Sequence, residues 1–316
     1  MMKRAPTPST LWRIVGKVDL GELEEVFREH AAVLHVALGG GPGEVVAHDG
    51  KRQKGSYDTA ADVKMSQLLR AFAVGTKMIL GHIAIMAKSN EIPAMQVLVR
   101  ELGLPGVVCT ADALHCQLKT MEAAKESGGE ALLQVKGNQP SLAVAFEALP
   151  AKQESGDCHV ETGNIARNRQ ETRKVEVFKA GTLLDLPEWQ AHAVEAVRVT
   201  RTVMHKDVAI GWKWRPTHEV AWYASTQEGK SAKYYAGVTR GHWGIESRVH
   251  YVLDVSMHED ASRIRKSPTI LSVLRSFALN VLRFDQIENV ADALWRNAMN
   301  LTRVLAYGAL EVVRIE

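Results

Sequence analysis

Three acidic residues carry most of the chemistry open to this sequence. Asp49 closes the run Glu44-Val-Val-Ala-His-Asp49 and is followed by Gly50-Lys51; Asp112 closes Gly106-Val-Val-Cys-Thr-Ala-Asp112; Glu246 lies in His242-Trp-Gly-Ile-Glu246, where apolar residues recur at helical spacing. Two aspartates at strand ends and a helical glutamate can converge in a mixed α/β sheet. Carboxylate oxygens are the donors Mg²⁺ and Mn²⁺ prefer, and a two-ion site needs several of them around cations about 4 Å apart. In-line phosphodiester displacement is the chemistry such a trio suits. Taken singly, each residue also has an ordinary reading: Asp49-Gly50 as a turn, Asp112 as a helix cap, Glu246 as a solvated charge.

The words around the three residues are more specific. Asp49-Gly-Lys51, Lys88-Ser-Asn-Glu-Ile92, Thr110-Ala-Asp112-Ala-Leu-His-Cys-Gln117, Val135-Lys-Gly-Asn-Gln-Pro140, His242-Trp-Gly-Ile-Glu246 and Glu259-Asp-Ala-Ser-Arg-Ile-Arg265 occur in that order. Together they resemble the insertion-sequence transposases of the ISAs type, also called H-repeat-associated proteins, within the DDE class. The resemblance runs from about Pro6 to about Asn300. It implies a ribonuclease-H-like fold in which the first and fourth strands lie side by side. It also implies Asp49, Asp112 and Glu246 as catalytic, metal-binding residues with two Mg²⁺ or Mn²⁺ ions. The implied partner is DNA, both transposon ends and target, held by a homodimer.

Candidate DNA contacts are Lys51, Lys136, Asn138, Arg169, Arg173, His242, His250, Arg263 and Arg265. Lys136-Gly-Asn138 ends a strand expected beside that of Asp112, and it reads equally as a strand-to-helix turn capped by Asn138. Arg169-Gln-Glu-Thr-Arg173 resembles the family's Arg-x-Glu-x-Arg element, with Arg167-Asn168 where His-Gly is usual, and guanidinium groups grip phosphates bidentately. His242 and Trp243 stand one turn before Glu246 and His250 one turn after; His250 suits a phosphate, while Trp243 is expected in the core. Thr239, His242 and Leu253 occupy positions where the wider class has tyrosine, arginine and lysine. Trp212 and Trp214 are expected to pack on one strand face.

The elements that must position these residues follow from periodicity. Short β-like runs at Glu44–His48, Gln67–Val74 and Met78–Ala87 precede a helical pattern at Ile92–Leu102, a run at Val107–Ala111, a helix at Cys116–Ser127, a run at Ala131–Lys136 and a helix opened by Pro140. The order β-β-β-α-β-α-β-α is that of a ribonuclease-H-like core. Residues 151–229 alternate polar and apolar side chains, as an antiparallel β insertion does, and helical periodicity resumes from Ser231. The aspartates stand 63 positions apart, 49 to 112, and Glu246 another 134 positions on, 112 to 246, which leaves room for that insertion. The expected fold is therefore an α/β, ribonuclease-H-like mixed sheet with flanking helices. The expected segments are a helical remnant and Gly-rich linker at 1–43, the first part of the core at 44–150, the β insertion at 151–229 and a helical completion at 230–316.

Composition sets the frame. The chain has 316 residues, 46% hydrophobic and 24% charged, which is ordinary for a globular protein with a sizeable core. A net charge of +3 names no partner, but basic residues group at Lys51, Arg52 and Lys54, at Arg167–Lys174 and at Arg263–Lys266. Three cysteines without a CxxC pair argue against a disulfide scaffold and fit a reducing compartment. The first residues lack the apolar run of a signal peptide, and Ala31–Leu38 is too short for a bilayer, so a cytoplasmic protein, nucleoid-associated when on DNA, is expected. Family members usually begin with a further helical region that helps bind DNA. A truncated, non-catalytic relic and a cellular ribonuclease-H-like nuclease therefore stand as alternative readings.

Overall fold

A computed structural model describes residues 7–53, 65–85, 90–207, 211–265 and 267–310. Lys54, Lys88-Ser89 of the second motif and Lys266 lie outside the described residues.

Helices α1 (Pro8–Val15) and α2 (Leu20–Ala37) precede strands β1 (Val45–Arg52), β2 (Gln67–Ala73) and β3 (Ile79–Ile85). Then α3 (Glu91–Leu102), β4 (Val108–Ala111), α4 (Leu118–Glu126), β5 (Glu130–Val135) and α5 (Pro140–Lys152) alternate. Strands β6 (Asp157–Thr162), β7 (Arg169–Lys179), β8 (Glu195–Asp207) and β9 (Lys213–Ser225) follow, with the short helix α6 (Pro187–Gln190) after β7. Helix α7 (Ala232–His242), two π-helical turns (Glu246–His250 and Val252–Ser256), α8 (Pro268–Phe284), α9 (Val290–Met299) and α10 (Leu301–Leu305) come last. From β1 to α5 the order is the ribonuclease-H-like one, and the fold class is mixed α/β with antiparallel strands inserted before the last helices.

The chain divides into two compact units, Met1–Pro105 with Trp243–Glu316, and Gly106–His242. In the first unit β1, β2 and β3 form an antiparallel meander with β2 in the middle. Six of the seven β2 residues are buried, as expected where a strand is paired on both edges and covered by helices. Helices α2, α3 and α8 pack on β3. Local signals start the helices: Asp19 accepts a hydrogen bond from the Glu22 amide at 3.0 Å to cap α2, Asn90 accepts from the Ile92 amide at 3.2 Å to cap α3, and Gly103, at φ 51°, ends α3 in the left-handed region. The core gathers Phe27, Ala47, Phe72, Ile79, Ile245, Val249, Leu253 and Val273, so the β1–β2 sheet and the π-helical stretch share one apolar layer. Burial of each large side chain there contributes roughly 1.5–3 kcal/mol.

Asp49-Gly50 is not a turn. Strand β1 runs on to Arg52 because Asp49, Gly50 and Lys51 stay in register opposite Arg70, Leu69 and Leu68 of β2. Glycine at position 50 suits a close approach: a Cβ there would lie 2.1 Å from a Glu91 carboxylate oxygen.

In the second unit β4 and β5 are parallel, and β5, β9, β8, β7 and β6 continue as an antiparallel sheet. Phe146 and Phe178 pack against Trp222 at centroid distances of 5.8 and 5.7 Å. The two further tryptophans differ from expectation. Trp212 precedes β9 at φ 60° and is 58% exposed, and Trp214 carries the Lys206 ammonium 5.6 Å from its ring centroid. They do not form a packed same-face pair, because strand geometry starts only at Lys213.

Candidate active site

Asp49 sits within β1, partly open to solvent, and its Oδ2 lies 3.2 Å from His250 Nδ1. Two residues along the same strand, Lys51 is ion-paired with Asp254. Two residues of strand and four of helix both advance roughly 6 Å, so His250 and Asp254 meet alternate β1 side chains as the helical segment runs along the strand. That segment begins at Glu246, which is exposed. It is π-helical: the Tyr251 amide donates to the Glu246 carbonyl, and the Met257 amide to the Val252 carbonyl at 3.1 Å. Such wide turns are rare in proteins and recur at functional sites. One unit thus holds Asp49 and Glu246 and ties the helix of one to the strand of the other.

The π segment also shows what surrounds the glutamate. Val249 and Leu253 are fully buried in the core, so Leu253, where the wider class was expected to carry lysine, packs and does not reach outward. Trp243, expected in the core, is 44% exposed. The apolar layer is filled by Ile245 and Val249, which leaves the Trp243 face of the helix outside it.

In the second unit Asp112 follows β4 and caps a short 3₁₀ turn, accepting from the Leu114 amide at 3.0 Å. Asn138 donates to the Ala113 carbonyl just beyond, so the loop after β5 is fastened to the loop after β4. Lys136 beside it is exposed. His242 is buried, with Nδ1 at 3.1 Å from the Thr110 hydroxyl of β4. Thr239 turns inward as well, donating to the Tyr235 carbonyl at 2.8 Å. Asp112, Asn138, Lys136 and His242 therefore gather around the end of β4.

Arg169 and Arg173 lie on β7, both bound to Glu171 at 2.7 and 2.6 Å, and Arg201 of β8 joins the same carboxylate at 3.0 Å. Partial burial pushes the Glu171 carboxyl up, but hydrogen bonds from Arg201 and Arg173 and their charges outweigh it and hold the group at about 2. Arg263 and Arg265 are exposed in the stretch after Glu259.

Arg70 belongs to none of the six motifs. It is fully buried in β2, directly opposite Asp49, and donates to both Glu259 oxygens at 2.9 and 3.1 Å and to the Ser272 hydroxyl at 3.0 Å. The signal was available: an arginine inside Leu68-Leu-Arg-Ala-Phe72 needs a buried anion, and Glu259 opens the last motif.

Asp49, Asp112 and Glu246 are hard oxygen donors of the kind Mg²⁺ takes. Among the described residues no three His, Cys, Asp or Glu side chains stand close enough together to hold a metal ion, and Asp49 is engaged by His250.

Residues 39–280 match the family described as the transposase DDE domain. The chain belongs to this family. All three carboxylates fall within the matched DDE domain. Two relatives whose names class them with transposases agree. YncI of Escherichia coli O157:H7 is 33% identical over 284 residues, 88% of this chain and 71% of that protein. The H repeat-associated protein YhhI of Escherichia coli strain K12 is 29% identical over 289 residues, 89% of this chain and 74% of that protein. Among solved structures, the piggyBac transposase synaptic complex with hairpin DNA aligns over 78% of this chain and 47% of that chain, at 10% identity and a TM-score of 0.42. Among the described residues of this DDE protein, no helix is long and apolar enough to cross a membrane.

Proposed function

We propose that this chain is a metal-dependent DNA transposase that cleaves DNA at the ends of its element and joins the freed 3′ ends to target DNA. The observation that carries this reading is the match of residues 39–280 to the DDE domain, a span that includes all three carboxylates. Asp49, Asp112 and Glu246 are the residues that would hold two Mg²⁺ or Mn²⁺ ions, and such ions would supply charge stabilisation to the attacking and leaving oxygens of an in-line displacement.

The protein's own side chains supply position and charge. His250 orients the Asp49 carboxylate, and the Lys51–Asp254 pair keeps the Glu246 helix along β1. Lys136, Asn138, Arg169, Arg173, Arg263 and Arg265 take the phosphodiester backbone of element ends or target. His242 and His250 are buried, so their proposed part is to hold Thr110 and Asp49 in place. A homodimer on DNA would serve the two ends.

The test is cleavage of a labelled duplex carrying the element's ends with Mg²⁺ present. Activity in the parent chain that disappears in Asp112→Asn supports the assignment, whereas full activity in Asp112→Asn overturns it. A parent chain that folds and binds DNA without cutting it is the non-catalytic relic. Cutting without any preference for element ends points to a cellular nuclease.

A further inference from the structure

A second cationic site lies on the first unit, beyond the carboxylates. A cavity of about 520 Å³ is bounded by the β2–β3 turn, the π-helical stretch and the end of α8, with Lys77, Arg248 and Arg283 among its lining residues. Its apolar wall is formed by Val252, Ile287 and Val290. Arg248 and Val252 belong to the two π-helical turns, so that stretch forms one wall of the cavity.

The charges here are held but not neutralised. Arg283 donates to the Lys77 carbonyl at 2.9 Å and to the Arg248 carbonyl, and its guanidinium stands 5.5 Å from the centroid of Phe72. Arg248 donates to the Val74 carbonyl at 3.4 Å. These are neutral acceptors and a ring face: they satisfy N–H groups and fix geometry but bring no negative charge. Burial and, after it, the nearby Arg248 charge together lower the Arg283 guanidinium to about 9. Glu288 is the one acidic residue among those lining the cavity, and among the described residues neither arginine forms an ion pair with it or with another carboxylate. Three clustered cations against one unpaired carboxylate leave a net positive cavity, which favours an oxyanion.

We infer that the Lys77–Arg248–Arg283 cavity is a phosphate-binding site for the DNA backbone. This rests on the transposase reading and deepens it. The shared chemistry is a tetrahedral phosphate oxyanion, and the commitment is to a phosphodiester of DNA, not to free phosphate. Lys77 and Arg248 are exposed and reach the ligand, while Arg283, anchored on two carbonyls, positions the turn and the helix that carry them.

The experiment is salt-dependent binding of a fluorescent 30-base-pair duplex to the full chain, comparing the parent with Lys77→Gln/Arg248→Gln. Each lost phosphate contact lowers the slope of log Kd against log salt by about one. The expected result is a slope smaller by about two and an affinity at least about tenfold weaker at 0.1 M salt, with an unchanged melting temperature. An unchanged slope and affinity in the double variant, while the parent binds, overturns the cavity alone. A parent that binds no duplex overturns the transposase reading and this site with it. A calorimetric titration with inorganic phosphate completes the test: sub-millimolar binding abolished in the double variant, with duplex binding intact, would make this a free-phosphate site and refute the inference.

Discussion

Asp49 of β1 and His250 of the first π-helical turn are joined by a 3.2 Å contact between Oδ2 and Nδ1, and that contact fastens the helix of Glu246 to the strand of Asp49. Both candidate carboxylates of this unit thus depend on one imidazole. Replacing Asp49 or Glu246 by its amide is expected to lower Mg²⁺-dependent cleavage by at least about a hundredfold, since the metal donors are removed. His250→Ala keeps the donors and loses only their orientation, so a fall in kcat of about tenfold to a hundredfold is expected, with duplex affinity unchanged. Initial rates and binding isotherms on the same labelled duplex separate the two effects. A His250→Ala protein of parental kcat would show that the contact serves folding alone.

The Arg70–Glu259 pair predicts a stability effect. Both side chains are buried, so Glu259→Gln leaves the Arg70 charge uncompensated and should cost about 3 kcal/mol. The double replacement Arg70→Met with Glu259→Leu removes both charges and should recover most of that loss. Urea unfolding of the three proteins reads this directly, and equal midpoints for Glu259→Gln and the parent would refute it.

Three imidazoles make the fold sensitive to mild acid. Burial lowers the pKa of His30, His35 and His82 below 6.5, partly offset by the Ala309 carbonyl, Glu44 and Glu24 respectively. A depressed folded-state value means that the unfolded chain binds protons more readily, so stability is full above 6.5 and is lost as pH falls through the folded values. Urea midpoints should therefore decline from pH 7.5 to pH 5. A flat profile across that interval would contradict the burial argument.

The inserted sheet should respond in a different window. Glu171 is held at about 2 by Arg201 and Arg173, so its contribution is complete above the usual value of 4.5 and fades as pH falls toward 2. Glu171→Gln leaves Arg169, Arg173 and Arg201 facing one another without their shared anion. A loss of about 1 kcal/mol at pH 7 is expected, discounted because the cluster is partly solvated. The gap between parent and variant in urea midpoint should shrink from pH 4.5 downward and close only near pH 2, and a gap that does not shrink over that interval would argue against the ionic origin.

The alternation of elements is written in the order of residues. Period-two and period-3.6 patterns, with Asp19, Asn90 and Gly103 as stops and starts, depend on neighbours within a few residues and are legible in one dimension. The family is legible there too, because six ordered motifs surround the carboxylates. That Asp49-Gly50 continues a strand depends on β2, since the register with Arg70 and Leu69 is a long-range choice. The same holds for Trp243 facing outward, for Leu253 filling the core, and for His250 being engaged by Asp49. Which face of a helix is buried, and which charge meets which, is set by packing against segments far away in the chain, and local propensity carries no record of those partners.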